Sequence, residues 1–100
     1  MRYYYDIEQE KIIPEGELKE IYNQLKAEQP DEYNYSFLHF ISNCLTKNNG
    51  SLETLQEHKN KLAKELFDYM SYEYDTDMKY TEEIKSIKAE IAYIDSLLKS

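Results

Sequence analysis

Several residue types are scarce or missing in this chain, and each absence excludes a class of protein. Its 100 residues include only two glycines and two prolines, which argues against a loop-rich or all-β fold. Gly16 and Gly50 alone cannot build a glycine-rich phosphate-binding loop. Tryptophan is absent, and Cys44 is the only cysteine, so no disulfide can form within the chain.

Long apolar runs and positive charge are also scarce. No segment is apolar enough to span a bilayer, and Met1–Asp6 lacks the apolar core of a signal peptide, so we expect a cytoplasmic protein. Twelve Lys and Arg residues face twenty Asp and Glu residues, which leaves a net charge of -8. That balance disfavours direct binding to nucleic acid or to anionic membranes. It favours solubility or a basic protein partner.

No residue constellation in the sequence indicates catalysis or metal binding. His39 and Cys44 would lie on one helix and point about 140° apart, so they cannot form a nucleophile–base pair there. One cysteine and two histidines do not match zinc-ligand spacing, and the run at Asp75–Asp77 lacks the glycine and glutamate of a calcium loop. Most paired carboxylates fall on predicted solvent faces, where no burial would shift their pKa values. We therefore expect no enzyme activity, no cofactor and no metal.

The residues that are present indicate helices preceded by a short β segment. Tyr3–Tyr5 and Lys11–Ile13 have strand preference and predict a small β-hairpin. Two short helices follow; the first begins at Pro14 and ends before Pro30, and Ser36 is the expected N-cap of the second. The second helix is the most apolar segment and is expected at the centre of the core. A glycine in the left-handed conformation, in the run 48–50, would end it.

The C-terminal half contains residues spaced alternately by four and three, as in a coiled coil. This stripe consists of Tyr80, Ile84, Ile87, Ile91, Ile94 and Leu98. Ser51 is expected to cap the helix that precedes this stripe, and that helix would begin at Leu52. The polar run 72–77 favours a turn, so that the last two helices form an antiparallel hairpin. The alternative is one helix of about fifty residues, about 75 Å long, which would require a dimer.

These patterns predict a mainly α fold with a small N-terminal β-hairpin, two short helices and a C-terminal antiparallel, coiled-coil-like helical hairpin. Residues 1–50 would form the first module and 51–100 the helical hairpin, in one compact domain overall. The charge is uneven: residues 1–36 hold four basic and nine acidic residues (-5), residues 37–66 four and three (+1), and residues 67–100 four and eight (-4). The acidity therefore lies at the two ends of the chain.

Eleven tyrosines are too many for so small a core, and tyrosine suits binding surfaces because it offers large contact area at low entropic cost. Where tyrosines and carboxylates mix, they would fit a basic, nucleic-acid-binding protein surface, with carboxylates in place of phosphates and rings in place of bases. The candidate partner-binding residues are Tyr69, Tyr72, Glu73, Tyr74, Asp75 and Asp77, with Asp6, Glu8 and Glu10 as a second group. An ordinary turn with solvated charge is the alternative interpretation.

Three segments carry a resemblance to known proteins: Tyr3–Asp6, Glu17–Tyr22 and Phe37–Glu53. Together they make residues 3–55 resemble short proteins of Firmicute phages and mobile elements. The resemblance implies no particular activity and no site residues for this chain. Small acidic phage proteins include inhibitors of host defence such as anti-CRISPR proteins, so an anti-defence role is implied at the level of class.

The function expected from the sequence is a non-enzymatic, acidic, protein-binding inhibitor of phage or mobile-element origin. Its partner would be a basic host protein, such as a CRISPR-type nucleic-acid-binding protein. One alternative is a structural or assembly module that forms a homodimer through the stripe at residues 80–98. A second alternative is a binder of a small ligand such as a nucleotide, in an aromatic-lined pocket between helices.

Overall fold

The computed structural model describes residues 2–75 and 80–99. Three strands and four helices follow one another along the chain, in the order β1 (Tyr3–Asp6), β2 (Lys11–Pro14), α1 (Glu15–Glu28), α2 (Phe37–Cys44), β3 (Leu52–Thr54), α3 (Leu55–Asp75) and α4 (Thr81–Leu98), with a short 3-10 turn at Thr46–Asn48. The predicted mainly α fold class is confirmed. The elements cluster into two compact units, Met1–Thr54 and Leu55–Ser100.

The sheet of the first unit has three antiparallel strands, in the order β2-β1-β3. The predicted hairpin is present: Tyr4 of β1 lies opposite Ile13 of β2, and both side chains are buried. On the other edge of β1, Tyr4 lies opposite Thr54 of β3. A hairpin alone is marginally stable, and this third strand completes the sheet.

The segment expected to begin the third helix therefore belongs to the sheet. Leu52–Thr54 is a strand, and α3 begins only at Leu55. The reason is non-local, because β3 hydrogen-bonds to a strand at the other end of the unit and buries Leu52 and Glu53 in doing so. Strand pairing and the burial of Leu52 outweigh the helical spacing of the leucines.

Helices α1 and α2 pack with the sheet around one aromatic cluster. Its buried residues are Tyr4, Ile13, Leu18, Tyr22, Phe40, Ile41 and Leu52. The Tyr22 ring centroid lies 5.4 Å from that of Phe40, and the Tyr22 hydroxyl donates a hydrogen bond to the Tyr35 carbonyl. The predicted cap of α2 is confirmed, because Ser36 Oγ accepts a hydrogen bond from the backbone N–H of His39 at 3.2 Å. Leu38, by contrast, points outward and is 74% exposed.

The loop between α2 and β3 uses its glycine differently from the prediction. Asn49, and not Gly50, adopts the left-handed conformation, with φ of 64°. Gly50 is required for steric reasons, because a Cβ at that position would lie 1.9 Å from the carbonyl oxygen of Cys44. The chain passes so close to the end of α2 that only glycine fits there.

The second unit is the antiparallel helical hairpin, as predicted. Lys59 near the start of α3 forms an ion pair with Asp95 near the end of α4. At the other end of the hairpin, the ring centroids of Tyr69 and Tyr80 lie 5.1 Å apart. Because the start of one helix contacts the end of the other, a single continuous helix is excluded.

The stripe of α4 packs inside this hairpin over most of its length. Ile84, Ile87 and Ile94 are buried, Tyr80 and Ile91 are half-buried, and only Leu98 at the helix end is exposed. The apolar face that would have formed a homodimer is therefore largely covered. None of the helices within residues 2–75 and 80–99 is long and apolar enough to cross a membrane.

Candidate protein-binding surface on the helical hairpin

An open groove of about 330 Å³ lies between the two helices of the second unit. Helix α3 contributes Glu65 and Tyr69, which share a face because they are four residues apart. Helix α4 contributes four residues from its first two turns, Glu82, Glu83, Ser86 and Ile87. We call these six residues the acidic groove.

The groove combines an apolar floor with a charged rim. Ile87 is buried and Tyr69 is half-buried, and the Tyr69 ring packs on Tyr80 at an interplanar angle of 51°. The three glutamates are exposed. None of the described residues that line the groove is basic. Carboxylates from two helices therefore line the same groove as one aromatic ring, and no described lining residue supplies a cation to offset their negative potential.

Two of these glutamates also stabilise the helix that carries them. Glu82 and Glu83 lie in the first turn of α4, where the partial positive charge of the helix dipole favours anions. Their contribution to the stability of α4 therefore accounts in part for their position.

The last turn of α3 has the opposite arrangement. It contains Glu73 and Asp75 and no basic residue, although the C-terminal end of a helix carries partial negative charge and favours cations. The sequence of this turn therefore contributes negative charge and no compensating positive charge.

The structure places the first group of predicted contact residues along one helix end. Tyr69 lines the acidic groove. Tyr72, Glu73, Tyr74 and Asp75 continue α3 instead of forming the predicted turn, because the segment contains no glycine or proline that would end the helix. Asp77 lies outside the described residues.

The sequence did not identify Glu65, Glu82 and Glu83 as candidate contact residues, because their positions were those of ordinary solvent-exposed charges. Glu65 precedes Tyr69 by one helical turn, and that spacing was a usable signal. No local sequence pattern indicated that α4 would line the groove, because that depends on how the two helices align.

The second group of predicted residues lies at the β1–β2 turn. Asp6 is only 8% exposed, and its Oδ1 accepts hydrogen bonds from the backbone N–H groups of Glu8 at 2.9 Å and Gln9 at 3.0 Å. The Asp6 carboxylate therefore holds the turn together. Glu8 and Glu10 are exposed, and Glu10 has a positive φ of 54°.

Glu8 borders a second open depression, of about 490 Å³, in the first unit. Its other lining residues are Ile7, Thr46, Asn49, Gly50 and Ser51. This depression has one carboxylate and no aromatic ring among its described lining residues. It therefore lacks the combination that distinguishes the acidic groove.

The nucleophilic and metal-ligating residue types do not converge in the described parts of the chain. Burial raises the pKa of the Cys44 thiol above its ordinary value, which makes it a weaker nucleophile at neutral pH. The His39 ring packs on Tyr35 with centroids 5.0 Å apart. Within residues 2–75 and 80–99, no three His, Cys, Asp or Glu side chains are grouped so that they could hold a metal ion.

Comparison with known proteins finds no matching family model, no matching curated protein and no matching solved structure. The acidic groove and the last turn of α3 are therefore the features of the chain that bear on its function.

Proposed function

We propose that this chain is a non-enzymatic inhibitor of phage or mobile-element origin that binds a basic surface of a host protein through the acidic groove and the last turn of α3. The observation that carries the proposal is a groove lined by Tyr69 and by three glutamates from two helices, with no basic residue among the described lining residues. Such a surface is complementary to clustered lysine and arginine side chains.

Long-range electrostatics support the same kind of partner. The chain has a net charge of -8, which attracts a basic protein and accelerates its association. The last turn of α3, which contains acidic residues and no basic one, supports binding at this end of the hairpin in particular.

The chemistry of the surface and the resemblance of residues 3–55 to phage and mobile-element proteins support one class of host partner. A protein that binds nucleic acid presents basic side chains to phosphates and uses stacking contacts for bases. Carboxylates of this chain can contact the basic side chains in place of phosphates, and its tyrosine rings can make the stacking contacts in place of bases. A CRISPR-type defence protein is one member of this class, and competition with its nucleic acid would cause inhibition.

The test compares two variants that lose the same charge. One variant carries Glu65→Gln, Glu82→Gln and Glu83→Gln in the acidic groove. The control carries Glu17→Gln, Glu20→Gln and Glu28→Gln, three exposed positions on α1. Removing three negative charges changes the net charge from -8 to -5 in both.

Each tagged variant is used to capture proteins from a host lysate, and the captured partner is then purified for binding measurements by titration calorimetry. We expect the groove variant to bind at least about tenfold more weakly than the control, and binding of the unmodified chain to weaken as salt is added. Captured nucleic-acid-binding protein should also release its nucleic acid. Equal binding by both variants, or a partner with an acidic binding surface, would contradict the proposal.

A further inference from the structure

We infer that the acidic groove receives an arginine side chain of the partner, with its guanidinium stacked on Tyr69 and bonded to glutamates of both helices. This inference rests on the proposed function and specifies the chemistry that the groove recognises. Three features of the groove support it: its floor, the arrangement of its carboxylates and its size.

The floor suits the two parts of an arginine side chain. Ile87 offers apolar surface against which the three methylene groups can pack. The Tyr69 ring is held in place by Tyr80, with ring centroids 5.1 Å apart. A planar guanidinium stacks on such a ring and gains cation–π attraction.

The carboxylates approach the floor from two sides. Glu65 projects from α3, whereas Glu82 and Glu83 project from α4. A guanidinium has five N–H donors in a rigid fork, so it can bond to carboxylates of both helices at once. A lysine ammonium is a compact, strongly hydrated point charge that cannot stack in the same way. The groove should therefore prefer arginine to lysine.

The size of the groove is compatible with one long side chain. The groove is open to solvent, and its volume of about 330 Å³ is near the lower end of the range for small-ligand sites, which is about 300–1,000 Å³. One projecting arginine side chain of the partner therefore fits there together with some water.

The experiment titrates small arginine probes into the full 100-residue chain, labelled with ¹⁵N. The probes are N-acetyl-arginine methylamide, the corresponding lysine compound and the corresponding citrulline compound, which has nearly the shape of arginine without its charge. We expect amide shifts at the groove residues, with arginine bound about three- to tenfold more tightly than lysine. Citrulline should cause no saturable shift.

Variants of Tyr69 test the stacking contact. Tyr69→Phe keeps the ring and should retain the preference for arginine, whereas Tyr69→Leu should reduce arginine binding to the level of lysine. Tyr93→Leu is the control, because Tyr93 is an exposed tyrosine of α4 that is not among the groove residues. Circular dichroism confirms that each variant remains helical.

The outcomes separate this inference from the proposed function. Equal affinity for arginine and lysine, shifts confined to other surfaces, or no effect of Tyr69→Leu would overturn the inference. If that happens while the triple glutamine variant still loses the host partner, the proposed function stands without it. If arginine binds as expected but the triple variant keeps its partner, the groove is specific for arginine and the proposed function is wrong.

Discussion

Gly16 and Gly50 show how differently one residue type can act in the same chain. Gly16 lies in the first turn of α1, and a Cβ there would meet no atom within 4 Å. Gly50 lies against the end of α2, and a Cβ there would overlap the backbone of Cys44. The first glycine weakens its helix, whereas the second permits the close passage of two chain segments.

Alanine substitutions should therefore have opposite effects at these two positions. Gly50→Ala should lower the free energy of unfolding by about 2–3 kcal/mol, because backbone has to move to relieve the overlap. Gly16→Ala should raise it by up to about 1 kcal/mol, because alanine is the better helix former. Urea denaturation followed by circular dichroism measures both. Equal stability of the two variants would mean that the loop does not pass this close to α2.

Cys44 should make stability depend on pH in the alkaline range. Burial raises the pKa of its thiol in the folded chain, so the folded state keeps its proton where the unfolded state has lost it. The stabilisation is complete below the unfolded pKa, about 8.5, and is lost as the pH rises through the folded value.

The measurement compares the unmodified chain with Cys44→Ala, so that the titration of tyrosines and lysines cancels. We expect the difference in unfolding free energy to become less favourable to the unmodified chain above about pH 8.5. A difference that stays constant from neutral to alkaline pH would show that the thiol is not desolvated.

At the scale of elements, the hairpin of α3 and α4 depends on the alternating stripe of α4. Ile94 is fully buried, at 0% exposure, whereas Leu98 one turn later is 43% exposed. The two residues belong to the same sequence pattern, and yet only the first contributes fully to the core. The difference reflects position along the hairpin, because Leu98 is the last residue of α4.

Alanine substitutions at these two positions should therefore lower the free energy of unfolding by different amounts. Ile94→Ala should cost about 3–4 kcal/mol of unfolding free energy, since it removes buried methylene groups and leaves a cavity. Leu98→Ala should cost less than about 1 kcal/mol, because nearly half of the Leu98 surface is already exposed to solvent at the helix end. Equal costs would indicate that the end of α4 packs as tightly as its middle.

Charge reversal at the end of α3 and at the start of α4 distinguishes effects on stability from effects on partner binding. Glu73→Lys in the last turn of α3 should stabilise the chain by about 0.3–1 kcal/mol, because it corrects the interaction with the helix dipole. Glu82→Lys in the first turn of α4 should destabilise it by a similar amount. We expect both to weaken partner binding, as measured by thermal melting alongside calorimetry. If Glu73→Lys strengthened binding, the last turn of α3 would not face a basic partner.

At the scale of the whole molecule, the chain consists of two compact units with an excess of negative charge. Its strongest sequence signal for association, the stripe at residues 80–98, is used mostly within its own hairpin. Little of that face remains for a second copy, and the negative charge opposes self-association. The homodimer alternative therefore loses its main physical support.

We expect light scattering to give the monomer mass of 12.0 kDa at all concentrations tested. The measurement is made at physiological salt, so that charge repulsion is screened and does not hide a weak dimer. A mass that rises with concentration toward twice this value would favour the assembly-module alternative. In that case Leu98→Ala, which alters the exposed end of the stripe, should reduce the rise.

Features that depend on neighbours in the sequence were predictable from the sequence. The Ser36 cap and the spacing of Ile84 and Ile87 were recognised from local patterns, and so was the β1–β2 hairpin. Each of these depends on contacts between residues close together in the chain, and such contacts follow from helical or strand periodicity. The fold class could therefore be predicted almost entirely from this information.

The sequence by itself determined that most of the chain would be helical, which helix faces would be apolar and where along the chain the negative charge would collect. Tertiary structure alone decided that Leu52–Thr54 would join β1, that Gly50 would lie against Cys44, and that Glu65 would face Glu82 and Glu83 across the groove. The physical reason is that these arrangements depend on contacts between segments distant in the chain, and no local pattern specifies how such segments align.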